Sequence, residues 1–428
     1  MISRDAIAAS LSDYETLIGE LPLIRRQFSV ADNVNYCFVG IRRSGKSYLM
    51  YQRYRDLLER GVSPDEMLYV SFEDERINGI TAQELNLLLE VKLEMTGGVK
   101  VKYAFLDEIQ NIDEWFLFVN RLLRTGMHIL ITGSNAKLLS GELATHLTGR
   151  HMKIELYPFS FNEYCMAQNI STTHGTTKEK GLIRAVFDSY LNEGGFPELL
   201  YEKRKQSYIN TLVDSILKKD IEQRYSILYK TSFENIVQHL LNNSPTKLNY
   251  KEMKELFGLR SDHTAENYIN YAKNAYLISG LKKFSYKSRE RVRDEKVYAI
   301  DVAFMSNREN AMEGENLGWR LETIIYTELL KRYRPQECDI YYYEEASGEA
   351  DFIVCRGKSV IQIIQVSYDI SSPKTLKREL KGLLLASKNT GCNNLLLITN
   401  SDEKDIVKDG KTINVVPAYA WLLEFQAY

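Results

Sequence analysis

The eight residues from Gly40 to Ser47, GIRRSGKS, have the types and spacing needed to bind phosphate groups. Glycines let the backbone N–H groups of such a loop turn inward around phosphate oxygens. The Lys46 ammonium would reach the β- and γ-phosphates of ATP, and the Ser47 hydroxyl would bind Mg²⁺. We expect the nucleotide contacts to come from these residues of the loop: Gly40, Arg43, Ser44, Gly45, Lys46 and Ser47.

The residues on either side of the loop predict the order of elements that a phosphate-binding loop requires. The run NYCFVG before it is apolar and typical of a strand. The run SYLMYQRYRDLLERG after it predicts an amphipathic helix over about 46–60, ended by Gly61. The positive end of that helix dipole would face the same phosphates.

Two carboxylates suited to metal and water chemistry end a second apolar run, VKYAFLDEIQNI at 101–112. Its pattern predicts a buried strand that ends at Asp107 and Glu108. Asp107 would support the Mg²⁺ from outside its inner ligands, and Glu108 would polarise the attacking water. A strand that merely ends in acidic residues is the alternative.

Two further residues are candidates for catalysis. The run HILITGSN at 128–135 predicts a third strand, and Asn135 at its end could hold the attacking water or contact the γ-phosphate. Arg150 follows a predicted helix and precedes another strand-like run. It could act on the γ-phosphate of a neighbouring subunit as an arginine finger, or be an ordinary surface arginine.

Several of these runs together resemble the prokaryotic AAA+-type P-loop ATPases. They resemble specifically a family that fuses the ATPase to a PD-(D/E)XK nuclease-like domain of uncertain function. The runs that carry this resemblance are Gly40–Ser47, FLDEIQNI, ITGSN, LTGRHMKIELYPFSFNEY and YLNEGGFPELL. The resemblance implies an αβα core with a parallel sheet. It also implies that VSFEDERI (70–77) is the second strand, with Asp74 and Arg76 at its end.

Length and composition limit the remaining possibilities. A chain of 428 residues is too long for one core, which predicts two to four domains. The formal net charge of −2 means that a nucleic-acid surface would have to be a local patch. Five dispersed cysteines, no apolar run of membrane-spanning length and an acidic beginning unlike a signal peptide predict a cytoplasmic protein with reduced thiols.

The fold class that we expect is a multidomain α/β protein. The ATPase core would be followed by a helical module, a winged helix and an α/β domain resembling restriction endonucleases. The predicted boundaries are an N-terminal helical segment at 1–30, the ATPase core at 31–164, the helical module at 165–230, the winged helix at 231–305 and the nuclease-like domain at 306–428.

A basic hairpin at the end of the predicted winged helix is a candidate DNA-binding surface. Phe284 and Tyr286 alternate with its cations, so the hairpin could follow a phosphate backbone. A solvated hairpin, or a winged helix that docks on protein, is the alternative. The candidate DNA contacts are Lys282, Lys283, Lys287, Arg289 and Arg291.

A helix at 315–333 followed by three strand-like runs resembles the PD-(D/E)XK nuclease core. The resemblance assigns Glu322 to the helix, Asp351 to the end of one strand, and Gln365 and Ser367 to the E-x-K positions of the next. Gln365 is neutral where a carboxylate should hold the metal, and Ser367 cannot replace the lysine that polarises water. We therefore expect a degenerate site without nuclease activity.

The leading hypothesis from sequence is a Mg²⁺-dependent ATPase coupled to DNA binding or remodelling. A slow nucleotide-gated switch that binds a protein partner is one alternative, and a working metal-dependent nuclease is another. The finger role of Arg150 would require a homo-oligomer. No membrane partner is expected.

Overall fold

The computed structural model describes residues 2–28, 30–32, 34–134, 151–173, 175–286, 294–305 and 316–424. The chain divides into two units, Met1–Leu156 and Tyr157–Tyr428. Across the described ranges, none of the helices combines the length and the apolar character that crossing a membrane requires.

A five-stranded parallel sheet forms the centre of the first unit, in the order β2-β3-β4-β1-β5. Its first four strands are apolar and buried almost throughout, as expected for a parallel sheet covered on both faces. The strands are Tyr36–Val39 (β1), Met67–Ser71 (β2), Tyr103–Asp107 (β3), His128–Gly133 (β4) and Met152–Glu155 (β5). The predicted parallel sheet is confirmed, and β1 and β3 both lie beside β4, so their carboxyl ends share one edge.

Helices complete the first unit: Arg4–Glu20 (α1), Lys46–Glu59 (α2), Asn86–Met95 (α3) and Trp115–Arg124 (α4). Helix α2 has nearly the predicted bounds. Helix α1 is joined to the end of β2 by polar contacts. The Ser10 hydroxyl donates to Asp74 Oδ2 at 2.6 Å, and Arg76 Nη1 lies 2.5 Å from Asp13 Oδ2.

The second strand expected at 70–77 is present, but its bounds differ from the prediction. Strand β2 ends at Ser71, and residues Glu75–Ile77 form a turn of 3₁₀ helix. The Asp74 side chain accepts a hydrogen bond from the Arg76 backbone N–H at 2.9 Å and so caps this turn. An aspartate in that position favours a turn over continued strand pairing.

The second unit begins with helices and a small antiparallel sheet. The helices are Phe161–Ala167 (α5), Thr177–Glu193 (α6), Lys205–Ser215 (α7), Lys230–Asn242 (α8), Tyr250–Leu256 (α9) and Asp262–Asn274 (α10). The sheet has the order β6-β8-β7 and consists of Thr246–Lys247 (β6), Ile278–Lys282 (β7) and Glu295–Ala299 (β8). Helix α10 turns Tyr268, Ile269 and Ala272 into the core.

A six-stranded mixed sheet follows, in the order β13-β14-β12-β11-β10-β9. Strands β9, β10 and β11 pair antiparallel, whereas β11, β12 and β14 pair parallel. The strands are Cys338–Glu345 (β9), Gly348–Arg356 (β10), Ser359–Ser367 (β11), Leu395–Thr399 (β12), Lys404–Lys408 (β13) and Lys411–Pro417 (β14). The helices of this region are Leu317–Tyr333 (α11), Pro373–Thr390 (α12) and Ala418–Leu423 (α13).

A buried carboxylate joins the helical part of the second unit to the end of its small sheet. Asp301 accepts hydrogen bonds from the backbone N–H groups of Gly195 and Ala303, both at 2.9 Å. Burial raises the pKa of Asp301 to about 6, although both hydrogen bonds oppose that shift. The glycine-rich run NEGGFPE is thereby tied to the segment that follows β8.

Candidate functional site

Residues 40–47 connect β1 to α2 in a tight loop with unusual backbone angles. Gly40, Arg43 and Gly45 have φ values of 151°, 66° and 94°. A Cβ added to Gly40 would lie 2.1 Å from the backbone oxygen of Leu156, so only glycine is accommodated there. Gly45 precedes α2 without a side-chain cap, and the first N–H groups of the helix therefore suit an anionic ligand.

Lys46 is buried at the start of α2, with 4% of its surface exposed. Its ammonium donates to the backbone oxygens of Gly40 and Ile41, both at 3.2 Å. Lys46 Nζ also lies 3.5 Å from Glu108 Oε1. The loop and the end of β3 therefore meet around one positive charge.

Asp107 is buried at the end of β3 and receives several hydrogen bonds. The Tyr69 hydroxyl donates to Asp107 Oδ2 at 2.7 Å, and the Thr132 hydroxyl donates to Asp107 Oδ1. Burial and the Glu108 charge raise the pKa of Asp107, while hydrogen bonds to Thr132, Ser47 and Tyr69 oppose the shift. The Ser47 contact brings together the hydroxyl and the carboxylate that were predicted to serve the metal.

Glu108 follows β3 with a left-handed backbone, at φ 53°. Its N–H donates to the Thr132 hydroxyl at 2.8 Å, and Gln110 donates to its carboxylate. Burial alone would raise the pKa of Glu108, but the Lys46 ammonium and the Gln110 hydrogen bond outweigh it and the pKa is lowered. The carboxylate is therefore ionised at neutral pH.

The backbone of the loop is supported from the segment before β1. Arg26, which is buried, donates from Nη1 to the backbone oxygen of Ser44 at 2.9 Å. The backbone N–H of Arg26 donates in turn to Gln52 Oε1 on α2 at 2.7 Å. The Ser44 hydroxyl itself is fully buried and has no hydrogen-bond partner among the described residues. A buried hydroxyl without a partner suits a ligand oxygen inside the loop.

The structure thus brings together Lys46, Ser47, Asp107 and Glu108 at one edge of the sheet. The other two catalytic candidates, Asn135 and Arg150, lie outside the described residues.

The predicted nuclease-like residues line a cavity of about 610 Å³ in the second unit. Glu322 reaches it from α11, Asp351 from β10, and Gln365 and Ser367 from β11. The resemblance had implied that Asp351 ends its strand. Asp351 instead lies inside β10. The pairing of β10 with β9 is irregular between Ala350 and Ile353, next to this aspartate. A bulge of this kind can redirect a side chain within a strand.

Gln365 is the centre of a hydrogen-bond network in this cavity. Its Nε2 donates to Glu379 Oε2 at 2.7 Å, and its Oε1 accepts from the Asp351 N–H at 3.3 Å. Asp351 Oδ2 accepts from the Val366 N–H at 2.8 Å. Within the described parts of the chain, no group of three or more His, Cys, Asp or Glu residues is arranged to hold a metal ion.

The basic hairpin differs from the prediction in one respect. Phe284 is only 8% exposed and packs into the core of the six-stranded sheet, so it cannot stack on a base. Phe284 is buried because its backbone pairs with β9: its N–H donates to the backbone oxygen of Tyr342 at 2.6 Å. Lys282 is exposed, and Lys283 Nζ lies 3.7 Å from Asp294 Oδ2. The other candidate DNA contacts, Lys287, Arg289 and Arg291, lie outside the described residues.

Relatives that match most of this chain include proteins of an archaeon and a bacterium. An uncharacterized protein of Methanocaldococcus jannaschii is 32% identical over 400 residues, which cover 90% of this chain and 87% of the relative. An uncharacterized protein of Haemophilus influenzae is 31% identical over 395 residues, which cover 90% and 93%. This chain belongs to their family. Residues 33–165 match the family model of the AAA domain, and the first unit is therefore built around an AAA-type P-loop domain.

The rest of this AAA protein matches models of domains of unknown function, DUF8612 at 184–313 and DUF4143 at 317–421. Among solved structures, the chain resembles the ORC1 protein of Aeropyrum pernix in complex with DNA. The identity is 11%, the coverage is 70% of this chain and 89% of that chain, and the TM-score is 0.29. DnaA of Aquifex aeolicus bound to AMPPCP matches at 13% identity, 61% and 86% coverage and a TM-score of 0.22. Likeness at this level supports no inference about substrate or partner.

Sequence reasoning missed three residues that support the AAA site: Arg26, Tyr69 and Thr132. A hydroxyl in the middle of the otherwise apolar run HILITG was a usable signal for Thr132, because a buried hydroxyl requires a partner. Tyr69 and Arg26 gave no comparable signal, since their partners Asp107 and Ser44 lie far away in sequence.

Proposed function

We propose that the AAA domain of this protein binds and hydrolyses ATP with the help of Mg²⁺. The observation that carries this proposal is the meeting of the loop lysine with the acidic pair, with Lys46 Nζ 3.5 Å from Glu108 Oε1. A triphosphate needs a cation and inward backbone N–H groups on one side and an ionised carboxylate near the γ-phosphate on the other. The residues of this edge supply both.

Mg²⁺ suits the oxygen donors at this edge. Ser47 would offer its hydroxyl as an inner ligand, and Asp107, which is hydrogen-bonded to Ser47, would hold it in place. Bound Mg²⁺ would neutralise charge that develops between the β- and γ-phosphates. The contacts from Tyr69 and Thr132 fix the orientation of the Asp107 carboxylate for this role.

Glu108 is proposed to position the attacking water. Its lowered pKa makes it a weak proton acceptor but keeps it charged, so it acts chiefly by orienting and polarising water. Thr132 anchors the Glu108 backbone, and Gln110 holds its carboxylate. Asn135 and Arg150 are proposed, from sequence, to contact the γ-phosphate, with Arg150 acting between subunits of a homo-oligomer.

The test separates binding from turnover. Glu108→Gln keeps the size and hydrogen bonding of the side chain but removes its charge. We expect it to bind Mg-ATP with an affinity close to wild type and to reduce ATP hydrolysis on the order of 10²-fold or more. Isothermal calorimetry and phosphate release would measure the two quantities. Glu114→Gln, at an αL residue next to α4, is the matched control and should leave both unchanged. Hydrolysis by Glu108→Gln at the wild-type rate would refute the role of Glu108.

A second proposal concerns what the ATPase is coupled to. Helices α8 to α10 with the three-stranded sheet have the element order of a winged helix, and the exposed Lys282 lies at the end of β7. DNA binding by this module is one candidate function. The competing candidate, a nucleotide-gated switch on a protein partner, is favoured by the pairing of nearby cations with acids: Lys273 with Glu295 at 2.5 Å and Lys283 with Asp294.

Salt dependence distinguishes the two candidates. If the module contacts phosphates, duplex or single-stranded DNA should stimulate ATP hydrolysis at low salt and lose its effect as salt rises. A protein-binding switch predicts neither stimulation nor retardation of DNA in a native gel at low salt. Lys282→Glu should weaken DNA binding and lower its salt dependence under the first proposal, and change nothing under the second.

A further inference from the structure

In a nuclease-like site Glu322 would be a metal ligand. In this protein it forms an ion pair with a lysine from another part of the second unit. Lys296 Nζ on β8 lies 2.6 Å from Glu322 Oε1 on α11, and each side chain is 12% exposed. The Tyr298 hydroxyl donates to the same oxygen at 2.7 Å. Both donors come from one face of β8, two residues apart, so the strand is fixed against this glutamate.

The other carboxylates of the cavity also have donors from the protein. Glu379 Oε1 accepts a hydrogen bond from Arg378 Nη2 at 2.5 Å, and Glu379 Oε2 accepts one from Gln365. Asp351 receives the Val366 N–H on Oδ2. A divalent cation would have to displace these donors, and would gain fewer charged ligands than a complete nuclease site offers.

We propose that the Lys296 ammonium, by pairing with Glu322, excludes the divalent metal ion that Glu322 and Asp351 would otherwise bind. The domain thus keeps the acids of a nuclease-like site without its metal. The same ion pair joins the small sheet to α11. This inference is independent of ATP hydrolysis by the first unit.

A rival interpretation is that Lys296 is a catalytic lysine displaced to another strand. A lysine that activates water must point at a metal-bound water. Lys296 is instead 2.6 Å from the carboxylate oxygen that would have to hold the metal. The rival predicts Mn²⁺-dependent cleavage of DNA that is lost in Glu322→Gln, and that result would overturn our proposal.

The direct test is Mn²⁺ binding to the full chain without nucleotide, measured by electron paramagnetic resonance. We expect Glu322-dependent binding to be undetectable in the wild type. In Lys296→Gln, which can keep a hydrogen bond to Glu322, Mn²⁺ should bind at least about tenfold more tightly than in the wild type. Adding Glu322→Gln should abolish the gain, which separates this cavity from the loop site. A folded Lys296→Gln protein without any gain would overturn the proposal.

Lys273→Gln is the matched control. Lys273 pairs with Glu295 at 2.5 Å beside the same small sheet. The two side chains are 20% and 21% exposed, so this pair is also partly buried. Only one carboxylate is released there, so no gain in Mn²⁺ binding is expected. An equal gain in this variant would show that any freed glutamate binds Mn²⁺ and would refute a special role for Lys296.

A second variant keeps the proposal testable if Lys296→Gln does not fold. Gln365→Glu adds the carboxylate that the nuclease-like pattern lacks while Lys296 stays in place. We expect it to bind Mn²⁺ no better than the wild type, because the lysine still occupies Glu322. Tight binding by Gln365→Glu, lost on adding Glu322→Gln, would show that the lysine does not exclude metal.

Discussion

The loop site of the first unit and the cavity of the second unit each contain a glutamate paired with a lysine; the pair is buried in the loop site and partly buried in the second unit. In the loop site, Lys46 rests on two backbone oxygens and lies 3.5 Å from Glu108, longer than an ordinary charged hydrogen bond. In the cavity, Lys296 contacts Glu322 directly at 2.6 Å. The first arrangement leaves the cation able to turn to an incoming anion, whereas the second satisfies it internally.

The hydrogen-bond donors around the two sites differ in the same way: they are partly unpaired in the loop site and paired in the cavity. The loop site contains a buried Ser44 hydroxyl without a partner and helix N–H groups without a side-chain cap. In the cavity, Gln365 and Arg378 donate to Glu379, and Tyr298 adds to the contact on Glu322. The loop site thus keeps a hydroxyl and helix N–H groups in reserve, whereas the donors of the cavity are paired with its own acids.

The largest effect should come from removing the lysine of the loop site. Lys46→Ala removes the charge that meets the β- and γ-phosphates, and we expect ATP affinity to fall on the order of 10³-fold. Binding of a fluorescent ATP analogue would measure it. Lys102→Ala removes an exposed lysine paired with Glu66 in the same unit and should leave affinity unchanged. Affinity within tenfold of wild type in Lys46→Ala would remove the basis of the comparison.

Lys296 should contribute to the stability of the fold and not to ATP binding. Lys296→Met leaves the partly buried Glu322 without its cation, which should cost about 3 kcal/mol of unfolding free energy, the low end for a buried pair. Lys46→Met should cost less, about 1 kcal/mol, because its contact with Glu108 is longer and Gln110 still donates to that carboxylate. Urea denaturation of both full-length variants tests the difference. Equal losses would mean that the two ion pairs are energetically alike.

Asp301, a buried carboxylate held by two backbone N–H groups, provides a reference for both sites. Its folded pKa of about 6 exceeds the ordinary 3.8, so the folded state holds the proton more tightly than the unfolded state. Stability should therefore fall by about 3 kcal/mol as pH rises from about 4 to about 6, and be flat above that range. Asp301→Asn should lack this component in denaturation series across pH. Parallel pH profiles for the two proteins would contradict it.

The smallest effect concerns positioning in the loop site. Thr132→Val removes the hydroxyl shared by Asp107 and the Glu108 N–H but keeps the shape of the side chain. We expect kcat to fall about tenfold with KM nearly unchanged, since positioning of the water is lost and phosphate contacts remain. Thr125→Val, at the end of α4, is the control. A rise in KM at constant kcat would place Thr132 in nucleotide binding.

The sequence predicted well what depends on short stretches of chain. The loop from Gly40 to Ser47 and the acidic pair Asp107-Glu108 are contiguous, and the strand and helix that flank the loop lie where the local pattern predicts them. The bounds of the second strand differ from the expected 70–77 because Asp74 caps a turn after Ser71. Phe284 was placed on the surface because alternation with lysines hid its pairing with Tyr342.

The pairing of Lys296 with Glu322 could not have been found in this way. Lys296 and Glu322 belong to different elements, and no periodicity links a strand of one sheet to a helix beside another. The same holds for Arg26, which supports Ser44 from outside the loop motif. Long-range polar pairs of this kind depend on tertiary packing, which local patterns do not encode.

Gly40 has a consequence for experiments on the loop. Its missing side chain makes room for the carbonyl of Leu156, the residue after the last strand of the first sheet. A methyl group at this position would push that strand away before any nucleotide arrived. Alanine at position 40 would therefore report damage to the sheet edge, and its loss of activity would say nothing about phosphate recognition.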